Sequence, residues 1–156
     1  MNAQTSVFDP ATFASMVFTE SNSTESTPIP AGEWPFVITK TEIVAWSSKD
    51  KTKAGLKLVC TLETEHPEIA QATGRPKNTA KDEIMLDLTP EGGLDFGKGM
   101  NVRLGRLRAA THLNSPGQPF SFDMLMGREA TYLVVHEPYE ERMVHRIKGV
   151  VADLNG

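Results

Sequence analysis

The chain has 156 residues, 39% of them hydrophobic and 23% charged, with a formal net charge of −4. That length suits one domain with a core of its own, and the single cysteine, Cys60, excludes an internal disulfide framework. No apolar run reaches the roughly 18 residues of a membrane-spanning helix, and no basic start followed by an apolar run marks a signal peptide, so the expected compartment is the cytoplasm.

The charge is unevenly placed. Residues 1–33 contain Asp9, Glu20, Glu25 and Glu33 and no Lys or Arg, which leaves 16 bases and 16 acids in the remainder. An acidic arm therefore precedes an electrically balanced body, and local patches decide what that body attracts. Within residues 1–31, Asp9-Pro10 followed by Phe13, Met16 and Val17 predicts a short capped helix. The Ser/Thr/Pro-rich stretch from Thr19 to Pro30 reads as a linker. Two readings of this arm stand side by side: a loosely ordered terminus, or a tether that docks on a neighbouring subunit or a partner. The domain then occupies residues 32–156.

Gly32 to Ser47 reads as a long strand whose alternation changes phase. Trp34, Phe36 and Ile38 share one side and Ile43 the other, so a bulge or bend is expected near Thr39 to Thr41. A polar loop follows, with Lys49, Lys51 and Lys53 against Asp50. Gly55 to Glu63 alternates cleanly, with Leu56, Leu58, Cys60 and Leu62 facing inward and Lys57 outward. His66 to Lys81 reads as a loop with room for a helical turn at Pro67 to Ala72. A third strand is expected at Glu83 to Thr89, with Ile84, Leu86 and Leu88 inward.

A helix is then expected over Asn101 to Leu113, with Asn101 as its cap and Leu104, Leu107 and Thr111 on one side. Between Gly97 and Leu113 there are four cations, Lys98, Arg103, Arg106 and Arg108, and no acid. Phe120 to Met126 reads as a segment closing one end of the core. Strands at Glu129 to Glu137 and Met143 to Asp153 complete the order, joined by a turn at Pro138 to Arg142. The fold class that follows is mainly β. Three strands, a helix and two strands match a five-stranded oligonucleotide-binding (OB)-like barrel with its helix between strands three and four, preceded by an arm with a short helix.

No residue pattern supplies a nucleophile with its base. His66, His112, His136 and His145 lack zinc-ligand spacing, although His136 and His145 fall on adjacent strands. Cys60 sits on the apolar phase of a strand and reads as core. Gly92 to Gly99 lacks the Gly-Lys-Ser/Thr end of a phosphate loop. It reads as a flexible lead-in to the helix, with backbone contact to nucleic-acid phosphate as the alternative. No catalytic residue, metal or cofactor is expected. A single-strand binder instead needs cations to displace counterions and aromatic faces on which bases stack. The candidates are Trp46, Lys49, Lys53 and Lys57 on the first hairpin and Tyr132, Arg146 and Lys148 on the last two strands. For Trp46 and Tyr132 the alternative is packing in the core or at a sheet edge.

Several strings add a resemblance: Glu83-Ile-Met-Leu-Asp-Leu-Thr, Gly-Gly-Leu-Asp-Phe-Gly-Lys-Gly, Leu-Gly-Arg-Leu-Arg and Pro-Gly-Gln-Pro-Phe-Ser-Phe. With Asp9-Pro10, Pro28-Ile-Pro-Ala-Gly-Glu and Trp46 before its lysine loop, the chain resembles a tailed-phage family of single-stranded-DNA-binding proteins. The resemblance implies a non-catalytic protein, in the host cytoplasm, that coats single-stranded DNA without sequence preference during phage replication or recombination. It implies a homo-oligomer, with phage or host replication proteins as further partners. Many single-strand binders recruit partners through an acidic C-terminal peptide, whereas this chain ends Val-Ala-Asp-Leu-Asn-Gly. The acidic N-terminal arm is the better candidate for that task. A phage structural or protein-interaction module built on the same barrel is the alternative.

Overall fold

The computed structural model describes residues 9–23 and 26–151. Helix α1 (Pro10–Ala14) begins as expected: Asp9 Oδ1 accepts from the amide of Ala11, and Pro10 takes a first-turn position where no amide is missed. Five strands follow: β1 (Gly32–Ser47), β2 (Ala54–Thr64), β3 (Asn78–Met85), β4 (Glu129–Tyr139) and β5 (Arg142–Val150). Helix α2 (Pro67–Thr73) separates β2 from β3, and helix α3 (Val102–Ala110) separates β3 from β4. A 3-10 turn at Phe122–Leu125 leads into β4.

The strands form one antiparallel sheet in the order β3-β2-β1-β4-β5. Strand β1 serves two partners along its length. Gly32 to Val37 pairs with β4, and Val37 to Ser47 pairs with β2. The register slips between Ile38 and Lys40, at the position where the apolar phase changes. Before the bulge Phe36 and Ile38 are buried, whereas Ile43 beyond it is exposed. The extra residue bends the strand so that its two halves face different partners.

Among the described residues β3 and β5 share no hydrogen-bonded ladder, so the sheet is not closed by strand pairing. Arg103 of α3 spans the gap. It donates to the Asp82 carboxylate at 2.7 Å, to the Glu83 carbonyl at 2.9 Å and to the Lys148 carbonyl at 3.5 Å.

Strand β3 lies earlier than its expected span of Glu83 to Thr89. Its buried phase is Asn78, Ala80, Asp82 and Ile84, two of which are polar, so hydrophobic alternation does not reveal it. Leu88, expected on the strand, makes only an isolated bridge to Leu94. Helix α3 also stops short of Leu113. The Thr111 hydroxyl bonds back to the Leu107 carbonyl, and His112 turns left-handed at φ 63°. The amides of His112 and Leu113 then close onto Ala109 and Arg108, a C-terminal turn of the Schellman type with Leu113 as its buried contact.

Leu104 and Leu107 of α3, with Leu125 of the 3-10 turn, pack with Phe36, Ile38 and Leu62 into one core. The expected closing segment at Phe120 to Met126 thus contributes one fully buried anchor, Leu125. The packed body also starts before residue 32. Ile29 is fully buried, and the Trp34 indole donates to the Pro30 carbonyl. The expected end of β5 at Asp153 lies outside the described residues.

Candidate nucleic-acid interface

The β1–β2 hairpin carries a prepared loop. Asp50 accepts from the Ser48 hydroxyl at 2.6 Å and from the Thr52 hydroxyl and amide at 2.8 and 3.1 Å. Those hydroxyls hold its carboxyl down at about 2, so it stays charged at any physiological pH. The Ser48 and Lys53 backbones close the loop, and Lys51 occupies its left-handed position at φ 59°. Lys49, Lys51 and Lys53 are all exposed on this clamped loop, and none makes an ion pair with a described residue. Lys51 belongs with the other two by placement alone, because sequence pattern gives no sign of which lysine takes the tip.

Trp46 lies directly opposite Gly55. A Cβ at Gly55 would approach the indole nitrogen to 3.0 Å and two ring carbons to 3.2 Å, so the ring rests on bare backbone. Gly55 is needed for that close approach. The indole remains half-buried, and its N–H has no acceptor among the described residues. Alternation places Trp46, Val44 and Glu42 of β1 on one side of the sheet. Lys57 pairs across from Val44 on one flank and Met85 on the other. The outward side near the loop is thus an indole, an exposed Met85 and a lysine.

Not every candidate cation is free. Lys57 pairs with Glu83 at 2.9 Å and Arg146 with Glu137 at 2.7 Å. Both pairs are solvent-exposed enough to open at small cost. Tyr132 cannot stack a base. It is 0% exposed, sits edge-on to Phe36 with ring centroids 5.8 Å apart, and presents no face to a base. The apolar phase of β4 wins over the hydroxyl, which has no partner among the described residues.

Lys148 has the neighbours that sequence reasoning missed. It lines a cleft of about 360 Å³ at the β3–β5 gap together with Arg103, Arg106, Asp82 and Glu33. Contacts run from Lys57 to Glu83, from Glu83 to Arg103, and from Arg103 to Lys148, so the two sets of candidates meet across the seam. Only the folded sheet brings residue 57 near residue 148. Asp82 is the buried counterion of this cleft. Burial pushes its carboxyl above the ordinary carboxylate range, although the Arg103 guanidinium pulls the other way. Cys60 is fully buried, and burial first, then the Asp82 charge, pushes its thiol up to about 12. It behaves as core, in agreement with its strand phase.

Among the described residues no helix is long and apolar enough to cross a membrane. No protein-family model matches the chain, and a search of the curated proteins likewise finds no match.

Proposed function

We propose that the protein binds single-stranded DNA without sequence preference and without catalysis. The strand would track from the clamped lysine loop across Trp46 and Lys57 to the cleft at Lys148, Arg103 and Arg106. Lys49, Lys51 and Lys53 take phosphates, Trp46 stacks a base, and Arg146 contributes from the rim. In this reading the curled sheet, with its edges drawn together by Arg103, serves as an OB-like barrel. The resemblance to tailed-phage single-strand binders supplies the setting, coating of DNA during phage replication or recombination in the host cytoplasm. The observation that carries the proposal is the half-buried indole held on Gly55 beside three lysines with no ion pair to a described residue. A stacking ring and a cationic loop on one hairpin are what a single-strand binder requires.

Titration of a labelled oligothymidylate at two salt concentrations tests this. Binding at low salt is expected, and its absence rejects the reading. Trp46→Ala should weaken binding by about 1–3 kcal/mol, the usual worth of one stacked base. Five cations without an ion pair to a described residue lie on the proposed path: Lys49, Lys51, Lys53, Arg106 and Lys148. The logarithm of affinity should therefore fall with that of salt with a slope of about −3.5. A slope near zero would exclude phosphate contact by these residues.

A second reading, a phage protein-interaction module, draws on the arm. Its exposed apolar side chains are of no use to a DNA groove. Strong self-association or partner capture without any DNA binding would favour it.

A further inference from the structure

The arm and the body carry complementary unsatisfied surfaces. Every residue from Pro10 to Asn22 is exposed. Within that stretch Phe13 is 60%, Val17 89% and Phe18 63% exposed, and the two phenylalanine rings lean on each other with centroids 5.7 Å apart. With Met16, four large apolar side chains are left in water, a cost that a monomer has no reason to bear. The charged side chains of residues 1–31, Asp9, Glu20 and Glu25, are all acidic.

A cleft on the body has matching character. Leu94, Phe96, Phe120 and Phe122 line it together with Pro116 and Arg108, and its volume is about 620 Å³. Phe96 is 78% exposed, and the Arg108 guanidinium lies 4.2 Å from the Phe120 ring centre. Of the four cations between Gly97 and Leu113, Arg108 lines this cleft, and no acid stands among its lining residues. An acidic aromatic segment and a basic aromatic cleft in one chain are each other's natural occupants.

We propose that the arm of one copy, residues 9–20, seats Phe13 and Phe18 in the Phe96–Phe120 cleft of a second copy. The root of the arm sets its reach. Ile29 is buried and Arg75 donates to the Thr27 carbonyl at 3.2 Å, so the arm leaves the body at Thr27. Nine residues from Phe18 to Thr27 span at most about 32 Å. A neighbour's cleft must come that close. If the exchange is not reciprocal, each copy offers one arm and one cleft, and the contact repeats head to tail. This proposal stands whether or not the protein binds DNA.

Sedimentation velocity of the full chain should show concentration-dependent self-association. Phe13→Ser with Phe18→Ser, or Phe96→Ser alone, should raise its dissociation constant at least tenfold. Phe96 is so exposed that its loss leaves the fold intact, as circular dichroism would verify. Arg108→Glu should also weaken association, and adding Glu20→Arg should restore it. Placement is tested by mixing a Phe18→Cys protein with a Ser115→Cys protein under mild oxidation. A mixed disulfide dimer is expected in excess over the pairing of Phe18→Cys with a Gln71→Cys control. A monomer at all concentrations, or no excess over the control, overturns the proposal. So does a Phe18→Cys/Ser115→Cys double variant that closes only within single chains.

Discussion

Arg103 is the residue on which the two edges of the sheet depend. Its partner Asp82 is 2% exposed at the side chain, whereas Arg103 is 42% exposed. Removing the guanidinium strands a buried carboxylate, while removing both charges does not. Arg103→Ala should therefore destabilise the fold by about 2–3 kcal/mol, less than for a fully buried pair because water already screens one side. Adding Asp82→Leu should recover much of that loss, and urea denaturation of the two variants measures both. Asn101 shows a different economy. It stands at the start of α3 in a left-handed conformation, as the expected cap position, but its side chain caps nothing. Instead its amide group accepts from the Asp87 amide and donates to the carbonyls of Asp87 and Asp95, tying the loop to the helix. Residue type located the helix start, but the hydrogen-bond pattern depends on a loop that sequence does not place. Gly55→Ala offers a clean test of the indole's seat. The added methyl displaces the ring without removing any contact group, so DNA affinity should fall while stability changes little. Equal affinity in that variant would show that the ring's position is irrelevant to binding.

At the scale of elements, a strap governs how the arm meets the body. Ile29 donates its amide to His145 Nδ1 at 3.0 Å, and its carbonyl accepts from His136 Nε2 at 2.7 Å. The two histidines are direct cross-strand neighbours on β4 and β5. Adjacency of those strands was readable from sequence, but their common partner was not, since Ile29 lies in what reads as linker. His145 can accept only while Nδ1 is unprotonated. Burial, then Arg75 and His136, hold its pKa below 6.5. The unfolded chain therefore takes up the proton first, so His145's contribution is complete above about pH 6.5 and declines as the pH falls below it. Hydrogen exchange at the Ile29 amide, corrected for its intrinsic rate, should lose protection between about pH 7.5 and about pH 5. Constant protection across that range would rule out this dependence. Other elements show how legibility follows burial chemistry. The span of β1 and its bulge could be read because large apolar residues announce their phase. Strand β3 was displaced because its inward side is Asn78, Ala80, Asp82 and Ile84. Asp82 is satisfied by Arg103, a partner 21 residues away that no local pattern encodes, whereas Asn78 donates locally to the Arg75 carbonyl.

For the whole molecule, the charge balance limits what any nucleic-acid contact can be. A body with equal numbers of acids and bases, many already paired on the surface, has no strong long-range field. Affinity for DNA should then be modest, and its fall with salt shallower than that of a strongly basic protein that neutralises more phosphates. Self-association through the arm would offset this by placing several weak sites on one strand. The site was legible in its first half only. Trp46 and the lysines are contiguous in sequence, whereas the meeting of Lys148 with Arg103 and Arg106 requires the sheet to curl.

The divided allegiance of β1 also sets an order of events. Its second half finds β2 across a short loop, so that hairpin can form as soon as residue 64 has been made. Its first half must wait for β4, where Val37 meets Glu129 and Gly32 meets Val134. Such distant pairing is slow. During synthesis, the backbone amides and carbonyls of Gly32 to Phe36 are an open template while most of the chain is still being made. Pro35 lies within that template and removes one donor from it. The residue that looks like an impediment to the strand is a guard against the wrong strand joining it first.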